Sequence, residues 1–332
     1  MTDVATAPRV PEELEAQLEQ YRRELTGYCY RMLGSGFDAE DAVQEAMVRA
    51  WRAVDRFDGR SSLRSWLYRI ATNVCLDSLK GTKRRALPMD LSASPSAPVL
   101  SSLTPPLPEV TWVEPIPDGR VLVDGGDPAD MAVARESIRL AFVAALQHLP
   151  PRQRAVLILR EVLRWKADEV AELLDSSVAS VNSALQRARA TMAASDLDSS
   201  RPLDALDDEH QALLARYVAA FESYDIESLV AVLHEDALQS MPPYEMWLRG
   251  AADIGAWMLG PGSECRGSRL VPLMVNGSPG VAQYRPSGPG GRHEPWSIHV
   301  IEVSDGRVSR LTQFLDTARL FPLFGLPTTL EP

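Results

Sequence analysis

The chain has 332 residues, of which 45% are hydrophobic and 24% charged, with a formal net charge of −11. Its length is about twice that of one domain, so two or three packed domains are expected; no apolar run approaches the ~18 residues of a membrane span, and the opening MTDVATAPRVPEELE is too polar and acidic for a signal peptide. Cys29, Cys75 and Cys265 stand far apart and make no metal-ligand spacing with the five histidines, so the expected setting is a reducing cytoplasm with no structural zinc, no cofactor and no membrane partner.

Taken whole, this acidity argues against a nucleic-acid binder, which usually carries a basic excess. The charge is unevenly placed, however: residues 1–48 hold 4 basic and 10 acidic side chains, whereas residues 49–85 hold 10 and 3. One half should repel phosphate and the other attract it. Residues 86–130 carry 1 basic and 7 acidic groups, 131–197 carry 9 and 7, and 198–332 carry 10 and 18. The expected organisation is a helical domain at 12–87, a proline-rich acidic linker at 88–130 in extended form, a second helical domain at 131–197 and, after a short polar stretch, a C-terminal domain at 203–332.

From Glu12 to about Leu33 the apolar spacing predicts a helix, stopped by Gly34-Ser35-Gly36. A second helix opens at Asp38 with Val43, Met47, Ala50 and Val54 on one face and Asp38, Asp41, Gln44 and Glu45 on another. That acidic stripe suits a basic partner, or a solvated face whose first-turn acids complement the helix dipole. A third helix, from Ser61-Ser62 to about Leu79, buries Leu63, Leu67, Ile70, Ala71 and Val74 and groups Trp66, Arg69, Asn73, Asp77 and Lys80 beside them, with Lys83, Arg84 and Arg85 following. An aromatic beside Arg and Asn, backed by a basic run, is what a surface needs to unstack bases, bond their edges and hold phosphates. Trp66 could equally close the edge of the apolar core.

After the linker, helices are predicted at about 131–148 and 151–163, the second opened by Pro150-Pro151. Lys166 to Leu174 then reads as a short amphipathic helix, Asp175-Ser176-Ser177 as a turn, and the stretch from Val178 to Arg189 as a second helix. Val170, Ala171 and Leu174 can meet Val178, Val181 and Leu185, leaving Ser180, Asn182, Ser183, Gln186, Arg187 and Arg189 outward. This is helix-turn-helix spacing, with short polar groups for base edges and arginines for phosphates, although any antiparallel helix pair shares the pattern. Asp175-Ser176 stands where the turn glycine is usual.

Together, DAEDAVQEAMVRAW (38–51), RFDGRSSLRSWLYRIATNVCLDSLKGTKRR (56–85) and LPPRQRAVLILREVLRWKADEVAELLDSSVASVNSALQRARA (149–190) resemble the extracytoplasmic-function (ECF) bacterial sigma factors, in that family's order. The resemblance implies a subunit that binds core RNA polymerase and directs it to promoter DNA, without chemistry of its own. It implies that Asp38, Asp41, Gln44 and Glu45 face the polymerase clamp. It further implies that Trp66, Arg69, Asn73, Asp77, Lys80, Lys83, Arg84 and Arg85 hold the melted minus-ten element, and that Ser180, Asn182, Ser183, Gln186, Arg187 and Arg189 read the minus-thirty-five duplex. In that family the linker threads the polymerase cleft, where its acids keep it off nucleic acid; here its length and Trp112-Val113-Glu114-Pro115-Ile116-Pro117 resemble one subgroup.

Residues 203–332 have no place in a minimal sigma factor. Helices are predicted at about 207–223, 225–233 and, around Ile254 and Trp257, after Gly250; strands follow at 269–275, 280–285, 296–303 and 307–315, the last two joined by a tight turn at Asp305-Gly306. Arg285 to Pro295 is rich enough in Gly and Pro to predict a mobile loop. Helices followed by a curved antiparallel sheet resemble the SnoaL-like cone. The expected fold is therefore multidomain: two all-α sigma domains, a helical bundle and a helix-turn-helix, plus a C-terminal α+β SnoaL-like cone. That likeness implies a pocket for a small-molecule ligand, with Met241, Trp247, Trp257, Trp296 and Phe314 as candidate lining and His299 with Asp236 or Asp316 as candidate proton-moving groups. Nothing in the spacing sets an acid beside His299; the resemblance to a subgroup that uses its fused domain where others use a separate anti-sigma protein implies instead a regulatory domain that touches both sigma domains and the linker. A SnoaL-like enzyme or small-molecule sensor fused to a DNA-binding module is the alternative.

Overall fold

The structure, a computed structural model, describes residues 12–57, 59, 61–123, 125, 127–194, 201–202 and 208–331. Helices α1 (Glu12–Glu19), α2 (Arg22–Leu33), α3 (Gly36–Ala53) and α4 (Leu63–Ser78) form the first domain, the single expected opening helix being broken at Gln20-Tyr21. Gly34 ends α2 in the left-handed conformation (φ 74°), which turns its N–H back to the Tyr30 carbonyl. Ser35 then caps α3 by accepting the Asp38 amide, so that helix starts two residues before the expected Asp38. Ser62 caps α4 in the same way. Leu25, Val43, Ala46, Leu67 and Ala71 interlock in the core between these helices.

The linker is not an extended thread. It contains α5 (Pro88–Leu91) and α6 (Asp118–Val121), and Trp112, Val113, Ile116 and Val121 are buried against the body of the protein. These few apolar side chains are enough to dock it. The expected helix at 131–148 is likewise two, α7 (Pro128–Glu136) and α8 (Leu140–Gln147). Between them Arg139 takes extended backbone, and its buried guanidinium is held by Glu136 at 2.6 Å and by Glu302 of the C-terminal domain at 3.3 Å. Tertiary pairing overrides local helix preference there.

Helix α9 (Pro151–Leu157) runs on through a π-turn to Val162, and α10 (Ala167–Leu173) and α11 (Val178–Ala194) make the helix-turn-helix. Its turn dispenses with glycine because Asp175 adopts φ 47°, a conformation that Asp tolerates better than most residues. Val170, Ala171 and Leu174 bury against Val181 and Leu185 as expected, but Val178 is exposed.

The C-terminal domain sets α12 (Asp208–Ser223), α13 (Ile226–Ala231) and α14 (Ala251–Leu259) against a sheet, with α15 (Thr317–Leu323) near the chain end. The strands are β1 (Arg201–Pro202), β2 (Leu233–Ser240), β3 (Trp247–Arg249), β4 (Arg269–Val275), β5 (Ser278–Arg285), β6 (Glu294–Ser304) and β7 (Arg307–Phe314). They run in the order β3-β2-β7-β6-β5-β4, with β1 added on β6. The sheet is mixed rather than antiparallel, since β2 runs parallel to β7. The Asp305-Gly306 turn forms as expected, with φ of 51° and 69°. The expected mobile loop is short and anchored: His293 and Leu330 exchange two backbone hydrogen bonds of 2.9 Å.

The two faces of this sheet belong to different cores. Val281, Ile301, Val303 and Leu311 pack beneath the domain's own helices. Ala282, Tyr284, Ile298 and Val300 join the core that holds Leu25 and Leu67 of the first domain and Val143 and Leu146 of the second. Among the described residues no helix is long and apolar enough to cross a membrane, and no group of three or more His, Cys, Asp and Glu could hold a metal ion.

Candidate functional site

On α3 the helical period that buries Ala39, Val43, Ala46 and Ala50 turns Asp41, Gln44 and Glu45 to solvent. Glu45 pairs with Arg49 one turn on at 2.7 Å, and Gln44 accepts weakly from Arg22 at 3.4 Å. Asp38 begins the stripe but faces a joint, where its Oδ2 accepts from Arg85 at 2.6 Å.

Helix α4 carries the candidate strand-opening face. Trp66 is half-buried at the edge of the core and lies 5.1 Å from the Phe57 ring. Asn73, Asp77 and Lys80 are exposed, and Lys80 together with Arg49 draws the Asp77 carboxyl below its usual range. Arg69 reaches into the second domain, donating to the Glu172 carbonyl at 3.1 Å and its carboxylate at 3.4 Å. Of the basic run, Lys83 is exposed and Arg84 meets His148 Nδ1 at 2.9 Å. Arg85 is 9% exposed and turned inward to the carbonyls of Glu109 (3.0 Å) and Trp112 (2.7 Å) as well as to Asp38. The docked linker offers it fixed acceptors that a solvated chain would lack.

On α11, Ser180, Asn182, Ser183, Gln186, Arg187 and Arg189 are all exposed on one side. Their side chains find partners inside the domain: Arg187 donates to Ser183 at 2.7 Å and Arg189 pairs with Glu161 at 2.6 Å.

Two joints hold the parts together. The first is the Asn276-Gly277 turn between β4 and β5. Asn276 Nδ2 donates to the Tyr30 hydroxyl of α2 at 2.6 Å and to the Ile138 carbonyl before α8 at 2.8 Å, while Asn276 Oδ1 accepts the Ile116 amide of the linker at 3.1 Å. The Gly277 amide donates to Asp118 at 2.8 Å. Burial pushes the Asp118 carboxyl up to about 6, against the opposing pull of that amide and of Arg135. One side chain thus ties first domain, linker and second domain to the third. At the second joint Glu114, raised by burial, receives the Ser35 hydroxyl and pairs with Arg319 of α15 at 3.0 Å. Arg319 also holds Glu109 at 2.8 Å.

The candidate pocket residues of the third domain do not converge. Met241 and Trp257 lie in the core under the helices. Phe314 packs in the other core, Trp296 is exposed beneath Arg285 (4.0 Å to its ring), and Trp247 accepts the linker amide of Ser96 on its carbonyl. Period-2 alternation explains this, since Phe314 and Ile298 are register partners on the face opposite His299. Neither candidate acid meets His299: Asp316 pairs with Arg319 and Asp236 is exposed. His299 instead sits fully buried in an amide and hydroxyl network, with Tyr217 Oη at 2.9 Å on Nδ1 and Ser297 Oγ at 2.9 Å and Gln283 Oε1 at 3.1 Å around Nε2. Burial lowers its pKa to about 3, so it is neutral.

Models of three families match the chain in sequence: Sigma-70 region 2 over residues 18–85, Sigma-70 region 4 over residues 139–192 and a SnoaL-like domain over residues 214–311. The ECF RNA polymerase sigma factor SigG of Mycobacterium tuberculosis (strain ATCC 25618 / H37Rv) is 48% identical over 328 residues, which span 96% of this chain and 85% of that relative. The chain belongs to the ECF sigma factors. SigJ of the same organism is 29% identical over 316 residues, 89% of each chain. The crystal structure of Mycobacterium tuberculosis SigJ aligns with TM-score 0.61 and 25% identity over 95% of this chain and 99% of that one. This sigma factor thus shares its whole three-part layout, fused SnoaL-like domain included.

Sequence reasoning did not single out Asn276, Arg319 or Glu172. Asn-Gly between two strand-like runs is a strong hairpin signal that would have found the turn. What the turn docks against depends on residues more than a hundred positions away, and no local pattern carries that.

Proposed function

We propose that this ECF sigma factor acts in the cytoplasm as a promoter-specificity subunit: Asp38, Asp41, Gln44 and Glu45 bind core RNA polymerase, α4 with Lys80, Lys83 and Arg84 holds the melted minus-ten strand, and α11 reads the minus-thirty-five duplex. The described arrangement is its closed state, held by its own C-terminal domain, which acts as a regulator and not as an enzyme. The Asn276 joint carries this reading, because it fastens both sigma domains and the linker to the third domain while Arg69 is engaged by Glu172. To bind promoter DNA the linker and α4 must leave these partners. The neutral His299, enclosed by Tyr217, Ser297 and Gln283, fits a structural network better than a general base, which works best with a pKa near the operating pH.

Reconstituted transcription with core polymerase tests this. The full chain should give promoter-dependent transcripts, and charge reversal at Asp41 and Glu45 should weaken assembly with core by tenfold or more. Assembly that survives the reversal unchanged would reject the assigned face, and absence of any core binding by the full chain would reject the function.

A further inference from the structure

A cleft of about 530 Å³ opens where the start of the linker, helices α8 and α11, and strands β2, β3 and β7 meet. That volume is in the range that small-molecule sites occupy. It borders the surfaces described above only at His148, which meets Arg84, and at Trp247, whose carbonyl accepts the Ser96 amide. Its helical wall is rich in alanine, Ala141, Ala144 and Ala145 on α8 and Ala194 at the end of α11, which with Thr191 and His148 leave space that larger side chains would fill. Its sheet wall is built by register: Leu238 on β2 is the direct neighbour of Arg249 on β3 and of Arg310 on β7. Two guanidinium stems therefore stand on one sheet face, about 10 Å apart with a leucine between them.

The polar groups here are under-supplied with acceptors. Arg249 is exposed and makes no ion pair with any described residue. Arg310 approaches the Glu302 carboxylate only at 3.6 Å, and Glu302 is already shared with Arg139 at 3.3 Å. Trp247, 5% exposed, also lines the cleft, and its indole N–H, closed to solvent, has no acceptor among the described residues. Two arginines on the sheet wall, against the single carboxylate of Asp90, which His148 already holds at 3.2 Å across the cleft, and an apolar wall thus face one void.

We propose that this cleft binds a small organic anion with a flat apolar body, its acidic group held by Arg249 and Arg310 and its body lying between Trp247 and the alanines of α8. Such a ligand touches linker, helix-turn-helix domain and C-terminal domain together, so it binds only the docked chain and stabilises it by mass action. That regulatory consequence rests on reading the docked chain as the closed state; the binding itself does not.

Calorimetric titration of the full chain with 8-anilinonaphthalene-1-sulfonate, an aromatic sulfonate, tests the site. One saturable site is expected, weakened about tenfold by Arg249→Ala, retained by Arg249→Lys and lost in Ala194→Trp, which plugs the cleft from an exposed helix end. Both altered positions lie at the surface, so the variants should unfold at the wild-type temperature. No saturable binding, or equal affinity in the wild type, Arg249→Ala and Ala194→Trp, would overturn the proposal. Binding that follows the expected order without altering transcription would support the site and remove only its regulatory consequence.

Discussion

Helix α11 turns its six candidate reading residues outward and keeps their contacts within its own domain, whereas α4 and the basic run behind it direct theirs to neighbours. Arg69 engages Glu172, Arg84 engages His148, and Arg85 is enclosed by Asp38 and linker carbonyls. The docked chain therefore leaves the proposed duplex-reading surface open and covers part of the proposed strand-opening surface. Magnitudes say what does the covering. Glu172 is well exposed and Arg69 partly so, and such surface pairs contribute about 1 kcal/mol or less. The buried bonds of Asn276 and the apolar sheet face are worth several times that, so the mask is held by the joint and not by the contacts that form the mask.

The strongest way to break this contrast is to undock the hairpin. Gly277 has φ 81°, and a Cβ there would lie 2.6 Å from the Arg135 carbonyl oxygen. Gly277→Val should cost the docked state about 3 kcal/mol or more, a population shift of about a hundredfold. Limited proteolysis should then cut the linker between residues 92 and 110, and promoter-dependent transcription should rise. Wild-type cleavage and output would mean that this joint does not govern access.

A smaller effect is expected from Glu172→Gln. It removes the charge that pairs with Arg69, leaves the Glu172 carbonyl as its acceptor and disturbs neither joint, so the affinity of the docked chain for a fluorescent minus-ten single strand should rise by up to about fivefold, the scale of an exposed ion pair. In the Gly277→Val background the same change should do nothing. An equal gain in both backgrounds would show that Glu172 repels DNA at long range instead of occupying Arg69.

The joints should also respond to pH. In the docked chain burial raises Asp118 to about 6, and on release its carboxyl returns to an ordinary value near ~4. The docked state therefore binds the proton more tightly; docking is strongest below the released value, weakens as pH rises through about 6 and is flat above. Protease resistance of the linker should be several-fold greater at pH 5 than at pH 8. Asp118→Asn should reduce that slope without abolishing it, because Glu114 is shifted the same way by burial. A slope unchanged in Asp118→Asn would exclude this carboxyl as its source.

Periodicity made α3, α4, α10 and α11 legible, because each buries one face on neighbours close in sequence, and Ser62 marks a helix start by its chemistry, whereas the Ser35 cap of α3 lies inside what reads as a helix stop. The outward sides of α3 and α11 followed from the same period. What could not be read were features set by distant partners. The break at Arg139 needs Glu302, and the inward turn of Arg85 needs the docked linker. Strand β2 was missed because its burial does not alternate: His234, Glu235 and Asp236 are all at least partly exposed in succession, and its partner β7 lies some seventy residues on. The dispersal of the pocket residues has the same origin, since which face of a strand meets which core is decided by the whole assembly.

The open surface supplies the smallest expected effect. Arg187 is exposed, and its contact is local to α11, so Arg187→Ala should weaken binding to a minus-thirty-five duplex severalfold through loss of a phosphate contact. Because no joint touches α11, that factor should be the same in the wild type and in Gly277→Val, with a coupling energy within about 0.5 kcal/mol of zero. Anisotropy titrations at one fixed salt concentration read both factors directly. A coupling well beyond that limit would mean that docking restrains the reading helix as well, and the contrast between an open and a covered surface would then reduce to a difference of degree.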